Sequence, residues 1–266
     1  MTKRMLCAAA VAVCSQCVHA GELYSAVQDP AASGSVLVTI NPDTGELNEQ
    51  SQGLGVSIQA MAYIPGQDRL IASAITPGTP DWAIYDVDRH AGAVTKLFDI
   101  GFNGPAGLAY DTSTNTLYAG SSSGLSIVDL DAGQLTSVGS TFTFVSGMTY
   151  IPGTDQLLYV DAVGGSFGEI DRTTGFFTQQ GELGVTSMFG TTFDQQTQTL
   201  YGVRSAGNQN ELYTINPTTG DATLATPVDS VSQFGLGALV SIPTPPTAAA
   251  WLLPLAVGGR RTRPNG

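Results

Sequence analysis

Five copies of one short pattern dictate what this chain can fold into. An aliphatic residue is followed by Asn or Asp, and Gly stands four positions after that polar residue. The copies are Ile40-Asn41 to Gly45, Val87-Asp88 to Gly92, Val128-Asp129 to Gly133, Ile170-Asp171 to Gly175 and Ile215-Asn216 to Gly220. The Gly-to-Gly spacings are 47, 41, 42 and 45 residues. Self-similarity at such a period marks a repeat architecture, in which each unit buries its faces against its neighbours. The local chemistry is that of a hairpin turn. The Asx side chain bonds the backbone two residues on, and Gly takes a positive φ without steric penalty.

Two further columns keep the same phase. A small residue leads an apolar run at Ala60–Tyr63, Gly107–Tyr110, Gly147–Tyr150, Gly190–Phe193 and Gly237–Val240. A Leu-Tyr-like pair follows in the first four, at Leu70-Ile71, Leu117-Tyr118, Leu158-Tyr159 and Leu200-Tyr201; the fifth pair, Leu23-Tyr24, stands near the start instead. Each unit holds four short runs rich in β-branched and aromatic residues, separated by turn signals. Four antiparallel strands per roughly 44 residues is a propeller blade, whereas leucine-rich and β-helix repeats are much shorter. Residues 21–242 are therefore expected to form an all-β, five-bladed β-propeller of four-stranded antiparallel blades. The chain opens on the second strand of a unit and closes on the first. Pairing of the N- and C-terminal strands would then close the ring and hide an edge.

The two ends read differently from the body. Residues 1–20 have Lys3 and Arg4, a short apolar run from Met5 to Val13, and Val18-His19-Ala20 as a small-x-small cleavage site. This is the layout of a secretory signal peptide, with the mature chain starting at Gly21. The apolar run is far shorter than the roughly 20 residues of a membrane span. All three cysteines (Cys7, Cys14, Cys17) lie in this leader, so the exported body would carry no disulfide. Residues 243–266 join a Pro-rich linker, an apolar stretch from Ala248 to Val257 and a basic end, Arg260, Arg261 and Arg263. The apolar part would partition into the membrane while the arginines stay on the cytoplasmic side. This tail resembles the PEP-CTERM sorting signal of Gram-negative bacteria, with Pro243-Thr244-Pro245 where Pro-Glu-Pro is usual. The resemblance implies membrane attachment through the tail before processing, and a processing protease-transpeptidase of the exosortase type as partner. It also implies a destination at the cell envelope, the outer surface or the extracellular space, and a link to exopolysaccharide.

The body's pattern of Leu-Tyr, Ile-Asn-Pro-x-Thr-Gly and Gly-Leu-Ala-Tyr-Asp resembles the YVTN/NHL-like propellers of exported bacterial proteins. That resemblance implies the fold and, by analogy, that the Gly-Leu-Ala-Tyr runs are the inner strands. It says little of function, because such propellers serve many tasks.

Charge narrows the partners. Half of the ten basic residues sit in the two ends, and all twenty-two acids lie in residues 21–242, which leaves that body at −17. Nucleic acid, which needs clustered Lys and Arg, is not an expected partner. No metal or cofactor is expected either. His90 is the one histidine outside the leader and falls in a turn, so a His/Cys zinc site or a Ser-His-Asp triad is not in prospect. Asp129-x-Asp131 and Asp86-x-Asp88 have alternate carboxylates, but they lie in or beside the turn column, and a calcium loop wants more oxygens in a short span.

A propeller glycosidase would set two acids some 5–9.5 Å apart around the channel. The lead-ins to the inner strands, including Gly104–Ala106, Phe144–Ser146 and Ser187–Phe189, contain no Asp or Glu. The loops after the Leu-Tyr strands share the face of these lead-ins and vary most. They supply the candidate ligand-binding residues Asp81, Trp82, Asp161, Arg204 and Asn208. Trp82 has two readings: a platform for a sugar, or the start of a third strand packed between blades. The expected function is a non-enzymatic, exported binding or scaffold protein of the envelope, associated with polysaccharide or a cell-surface protein. The alternative is a carbohydrate-active hydrolase or lyase.

Overall fold

The computed structural model describes residues 21–29, 34–76, 78–140, 144–206, 209–228 and 236–244. Residues 1–20, expected from the sequence to be a signal peptide, and the tail beyond Thr244, with Pro245, Arg260, Arg261 and Arg263, lie outside the described residues. The described chain is all-β apart from a 3-10 turn at Pro65–Gln67. Blade 1 combines β1 (Glu22–Asp29), β2 (Gly34–Ile40) and β3 (Leu47–Glu49) with the last strand, β20 (Leu236–Ile242). Blade 2 is β4 (Ser57–Ile64), β5 (Arg69–Ile75), β6 (Trp82–Asp88) and β7 (Ala93–Gly101). Blade 3 is β8 (Gly107–Asp111), β9 (Thr116–Ser121), β10 (Gly124–Asp129) and β11 (Gln134–Gly139). Blade 4 is β12 (Gly147–Ile151), β13 (Gln156–Val160), β14 (Ser166–Ile170) and β15 (Phe177–Glu182). Blade 5 is β16 (Met188–Asp194), β17 (Thr199–Ala206), β18 (Gln209–Ile215) and β19 (Ala222–Val228).

The protein is thus a five-bladed propeller of four-stranded antiparallel blades. The small-residue runs form the inner ring: β4, β8, β12, β16 and β20 each touch the next in a closed circle. β20 pairs with β1 from Glu22↔Ile242 to Val27↔Leu236, so the ends of the body close the ring.

The core is divided among the interfaces between blades. Tyr24 and Leu37 of blade 1 meet Met61 and Tyr85 of blade 2, and Ile71 and Ile84 meet Leu108 and Leu117 of blade 3. Tyr118 and Leu125 meet Tyr159, Leu158 and Phe167 meet Leu200, and Leu23 and Val38 meet Val203 and Leu212. The second-strand pair serves two interfaces at once, because successive side chains point to opposite faces. Leu117 faces blade 2 and Tyr118 faces blade 4.

Register corrects two columns by one residue. Tyr110 pairs Leu117 and Phe193 pairs Leu200, and the matching partner of Tyr150 is Leu157. The blade 4 pair is therefore Leu157-Leu158, not Leu158-Tyr159. In blade 1 Ser241 pairs Leu23, which puts Ala238 rather than Gly237 in the small-residue column. A slip of one residue would turn every side chain to the wrong interface.

The turn column does two jobs. Asn41, Asp88, Asp129, Asp171 and Asn216 each accept the N–H two residues on at 2.8–3.1 Å. Their carbonyls accept the Gly N–H at 2.8–2.9 Å. These turns also press on the preceding blade. Gly175 of blade 4 has φ 69°, and a Cβ there would stand 2.8 Å from the Cα of Gly139 in blade 3. Gly184 has nearly the same φ, 70°, with open space around it. Gly175→Ala should therefore lower stability by about 2–4 kcal/mol, and Gly184→Ala by about 1–2 kcal/mol from the backbone alone. Urea denaturation of the two variants separates contact from conformation; equal losses would remove the contact argument.

Candidate binding face

Strand direction gives the ring two unlike ends. The starts of the inner strands and the loops between second and third strands form one end, the lead-in face. The hairpins after the inner strands and the Asx-Gly turns form the other, the turn face.

The channel between them is nearly shut. Ala60, Gly107, Gly147, Gly190 and Ala238 bring the five inner strands together, leaving about 10 Å³ of open space. A Cβ on Gly190 would lie 2.6 Å from the Leu239 nitrogen. This close approach explains the small-residue column. At the turn face the channel widens to about 60 Å³ beside Tyr63, Tyr110, Tyr150 and Phe193. Among the described residues, no Asp, Glu or His lines either part.

The lead-in face is unusually apolar for a −17 body. Phe102 is 70% exposed, Val163 74%, Phe144 44% and Phe189 37%. Phe102 and Phe144 stand in the connections into blades 3 and 4, Val163 in the β13–β14 loop, and Phe189 at the start of β16. Among the described residues the other two exposed large apolar side chains, Phe176 and Leu224, lie off this face. Large apolar groups left in water are the informative departure from ordinary surfaces.

Four of the candidate residues read from the sequence fall in two places on this face. Asp81 is exposed and Trp82 half-buried at the start of β6. Gly104 lies against the indole: a Cβ there would come within 2.5 Å of its ring atoms. Trp82 thus rests on the lead-in of blade 3. Asp161 forms an Asx turn, accepting the N–H of Val163 and Gly164 at 2.8 and 3.1 Å. Arg204 bonds the Thr186 carbonyl at 3.0 Å and pairs with Glu211 at 2.5 Å. The loop that begins at Asp161 and Arg204 flank one open groove between blades 4 and 5, about 430 Å³, floored by Gly164, Gly165 and Val185. Asp81 and Trp82 belong to blade 2, away from it. Asn208 lies outside the described residues. Phe102, Val163 and the exposure of Phe144 and Phe189 were not anticipated. The available signal was an aromatic residue in the lead-in segments, just outside the apolar runs.

The arginines of the turn face are already paired. Arg89 pairs with Asp68 at 2.6 Å and lies over Tyr63, while Arg172 pairs with Asp155 at 2.7 Å and lies over Tyr150. Tyr63 and Tyr150 donate to the same two aspartates at 2.7 Å. Blade 3 has Asn115 and Leu130 at the equivalent positions, so acid and arginine are present together or absent together. Arg172 also pairs with Asp111, a carboxylate with no exposed surface. Burial pushes the Asp111 pKa up, but bonds from Ser113, Thr114 and Arg172 bring it down to about 2. Asp129 and Asp88 accept turn amides, and His90 is exposed in its turn. No group of three or more His, Cys, Asp or Glu among the described residues is arranged to hold a metal ion. Pro243 is exposed just past β20.

No protein-family model matches the chain, and no curated protein matches it in sequence. Solved structures do. A chain of the nidogen/laminin complex has a TM-score of 0.56 at 13% identity, covering 82% of this chain and 97% of that one. TolB from Acinetobacter baumannii scores 0.54 at 13% identity, covering 82% and 67%. A Bacteroides thetaiotaomicron protein of unknown function scores 0.52 at 12% identity, covering 77% of this chain and 58% of that one. At these identities the likeness is one of fold, the β-propeller.

Proposed function

We propose that this is an exported, non-enzymatic binding or scaffold propeller of the bacterial cell envelope, with exopolysaccharide as the ligand of its lead-in face. The observation that carries the binding reading is the set of exposed apolar side chains Phe102, Phe144, Val163 and Phe189 on one end of an otherwise acidic ring. Aromatic faces stack on sugar rings without a charged partner, which suits a body that repels anions. The near-closed channel and its lining without acids supports binding rather than hydrolysis, since a glycosidase needs two carboxyl groups flanking a bound sugar. The leader and tail supply the address. The exosortase-type protease-transpeptidase would act on residues 243–266. The likeness to a chain of the nidogen/laminin complex adds an instance of this fold within a protein complex.

Affinity electrophoresis in gels containing the host's exopolysaccharide tests the reading. The body should be retarded, and Phe144→Ser with Phe189→Ser should weaken retardation at least about tenfold, the loss of one or two stacked rings. Leu224→Ser, on an outer strand, serves as control. Equal retardation of all three proteins would overturn the lead-in face as the site. Reducing ends released from the polymer would favour the hydrolase reading.

A further inference from the structure

Two aspartates occupy equivalent positions at the ends of inner strands, Asp111 on β8 and Asp194 on β16. Both have no exposed surface. Asp111 has a guanidinium, that of Arg172, as its counter-charge. Asp194 has no Lys or Arg partner among the described residues. Its Oδ1 accepts the Gln196 N–H at 2.8 Å, and its Oδ2 accepts the Thr197 hydroxyl and the Gly21 N–H, both at 2.9 Å. Gly21 is itself buried, 173 positions away in sequence. A Cβ on residue 21 would fall 2.6 Å from Ser241 Oγ and 3.0 Å from the Ile242 carbonyl oxygen, so glycine fits here without displacing either. Ser241 Oγ is a buried oxygen with no hydrogen-bond partner among the described residues.

A buried carboxylate without a cation is strongly unfavourable, and a peptide N–H brings one donor and no charge. Cleavage after Ala20 would change that nitrogen into an α-ammonium, with a full positive charge and three donors. We propose that the α-ammonium of processed Gly21 is the counter-ion of Asp194, so that signal-peptide removal locks blade 1 to blade 5 at the ring's closure. The inference rests on the export reading, because it needs the cut to fall between Ala20 and Gly21. It also accounts for glycine at the first mature position and for the extra acceptor, Ser241 Oγ, beside it. The step is a hydrolysis: water adds across the Ala20–Gly21 peptide bond, leaving a carboxylate on the leader and an ammonium on Gly21.

The test compares two chains running to Gly266, one beginning with a free Gly21 and one retaining Val18-His19-Ala20 ahead of it. The free form should melt at least about 5 °C higher, the scale of a buried pair gained in a body of this size. Asp194→Asn in both should close that gap to within about 1 °C. A second readout needs no change at Asp194: an acylating reagent should modify the Gly21 amine of the folded protein at least about tenfold more slowly than the Val18 amine of the longer chain. Equal melting of the two chains, a gap that survives Asp194→Asn, or equal acylation rates would overturn the proposal alone. A native amino terminus other than Gly21 would overturn the export site and the proposal together.

Discussion

Deleting β20 together with everything after it is expected to abolish the cooperative fold, not merely lower its melting temperature. Leu236, Ala238, Leu239, Val240 and Ile242 are each no more than 5% exposed. Ala238, Val240 and Ile242 pack toward blade 2, and Leu236 and Leu239 toward blade 5. Four large side chains at about 1.5–3 kcal/mol each give about 6–12 kcal/mol, comparable with the whole stability of a typical domain. The deletion also leaves β1 as a bare edge and opens the inner ring between β16 and β4. Ending the chain after Thr244 should be harmless by comparison. It keeps β20 and the bonds between Thr244 and Gln196. Thermal unfolding followed by circular dichroism reads both. A β20 deletion that still unfolds cooperatively within a few degrees of the longer chain would refute closure by the termini.

Arg172→Ala should be the most damaging single substitution on the turn face. It leaves Asp111 buried and unpaired and Asp155 without its guanidinium. Removing one partner of a buried pair costs about 3–5 kcal/mol, or about 10 °C in melting temperature for a ring of this size. Asp111→Asn in the same chain should recover part of the loss, since an amide needs no counter-charge. The pH dependence has a definite sign. The folded Asp111 pKa, about 2, lies below its ordinary value of 3.8. The resulting stability is complete above about pH 4 and is lost as pH falls through 2, amounting to about 2 kcal/mol. In Arg172→Ala that acid-sensitive component should shrink, leaving a flatter stability curve between pH 4 and 2. Asp171, held at about 2 chiefly by its bond from Thr173, contributes the same slope to both proteins. Arg172→Ala melting within 2 °C of the parent would show that the pair is not needed.

What could be read from the sequence was what local chemistry decides. The Asx-Gly turns lie where five recurrences placed them, because each is built from its own side chain and amides. Blade count and ring closure followed from their phase. The register of blades 1 and 4 did not. Gln156-Leu-Leu-Tyr-Val160 is apolar on both faces, so alternation carries no phase there, and only pairing with Tyr150 fixes it. Long-range partners were equally hidden. Arg172 and Asp111 are 61 positions apart, and nothing local marks Asp194 as the partner of Gly21. The candidate face was legible in part. Trp82, Asp161 and Arg204 lie at the expected end of the ring. Phe102, Phe144, Val163 and Phe189 were invisible as surface residues, because an apolar residue in a β-rich chain reads as core until a fold leaves it outside.

The two populations of basic residues connect these observations. Five belong to the terminal segments, and the remaining five, four arginines and one lysine, serve a −17 body. All five stand in ion pairs with exposed or half-buried acids, and Arg172 alone among them also reaches a fully buried one. The proposed removal of residues 1–20 would add one more cation, placed at the other fully buried aspartate.

Residues 21–242 are proposed to be an exported body between two processing signals. Intact mass and amino-terminal sequencing of the protein from its native host test this most directly. The predicted result is a chain that begins at Gly21 and lacks residues beyond about Pro246. A mass equal to the full 266 residues, with Met1 at the start, would contradict it.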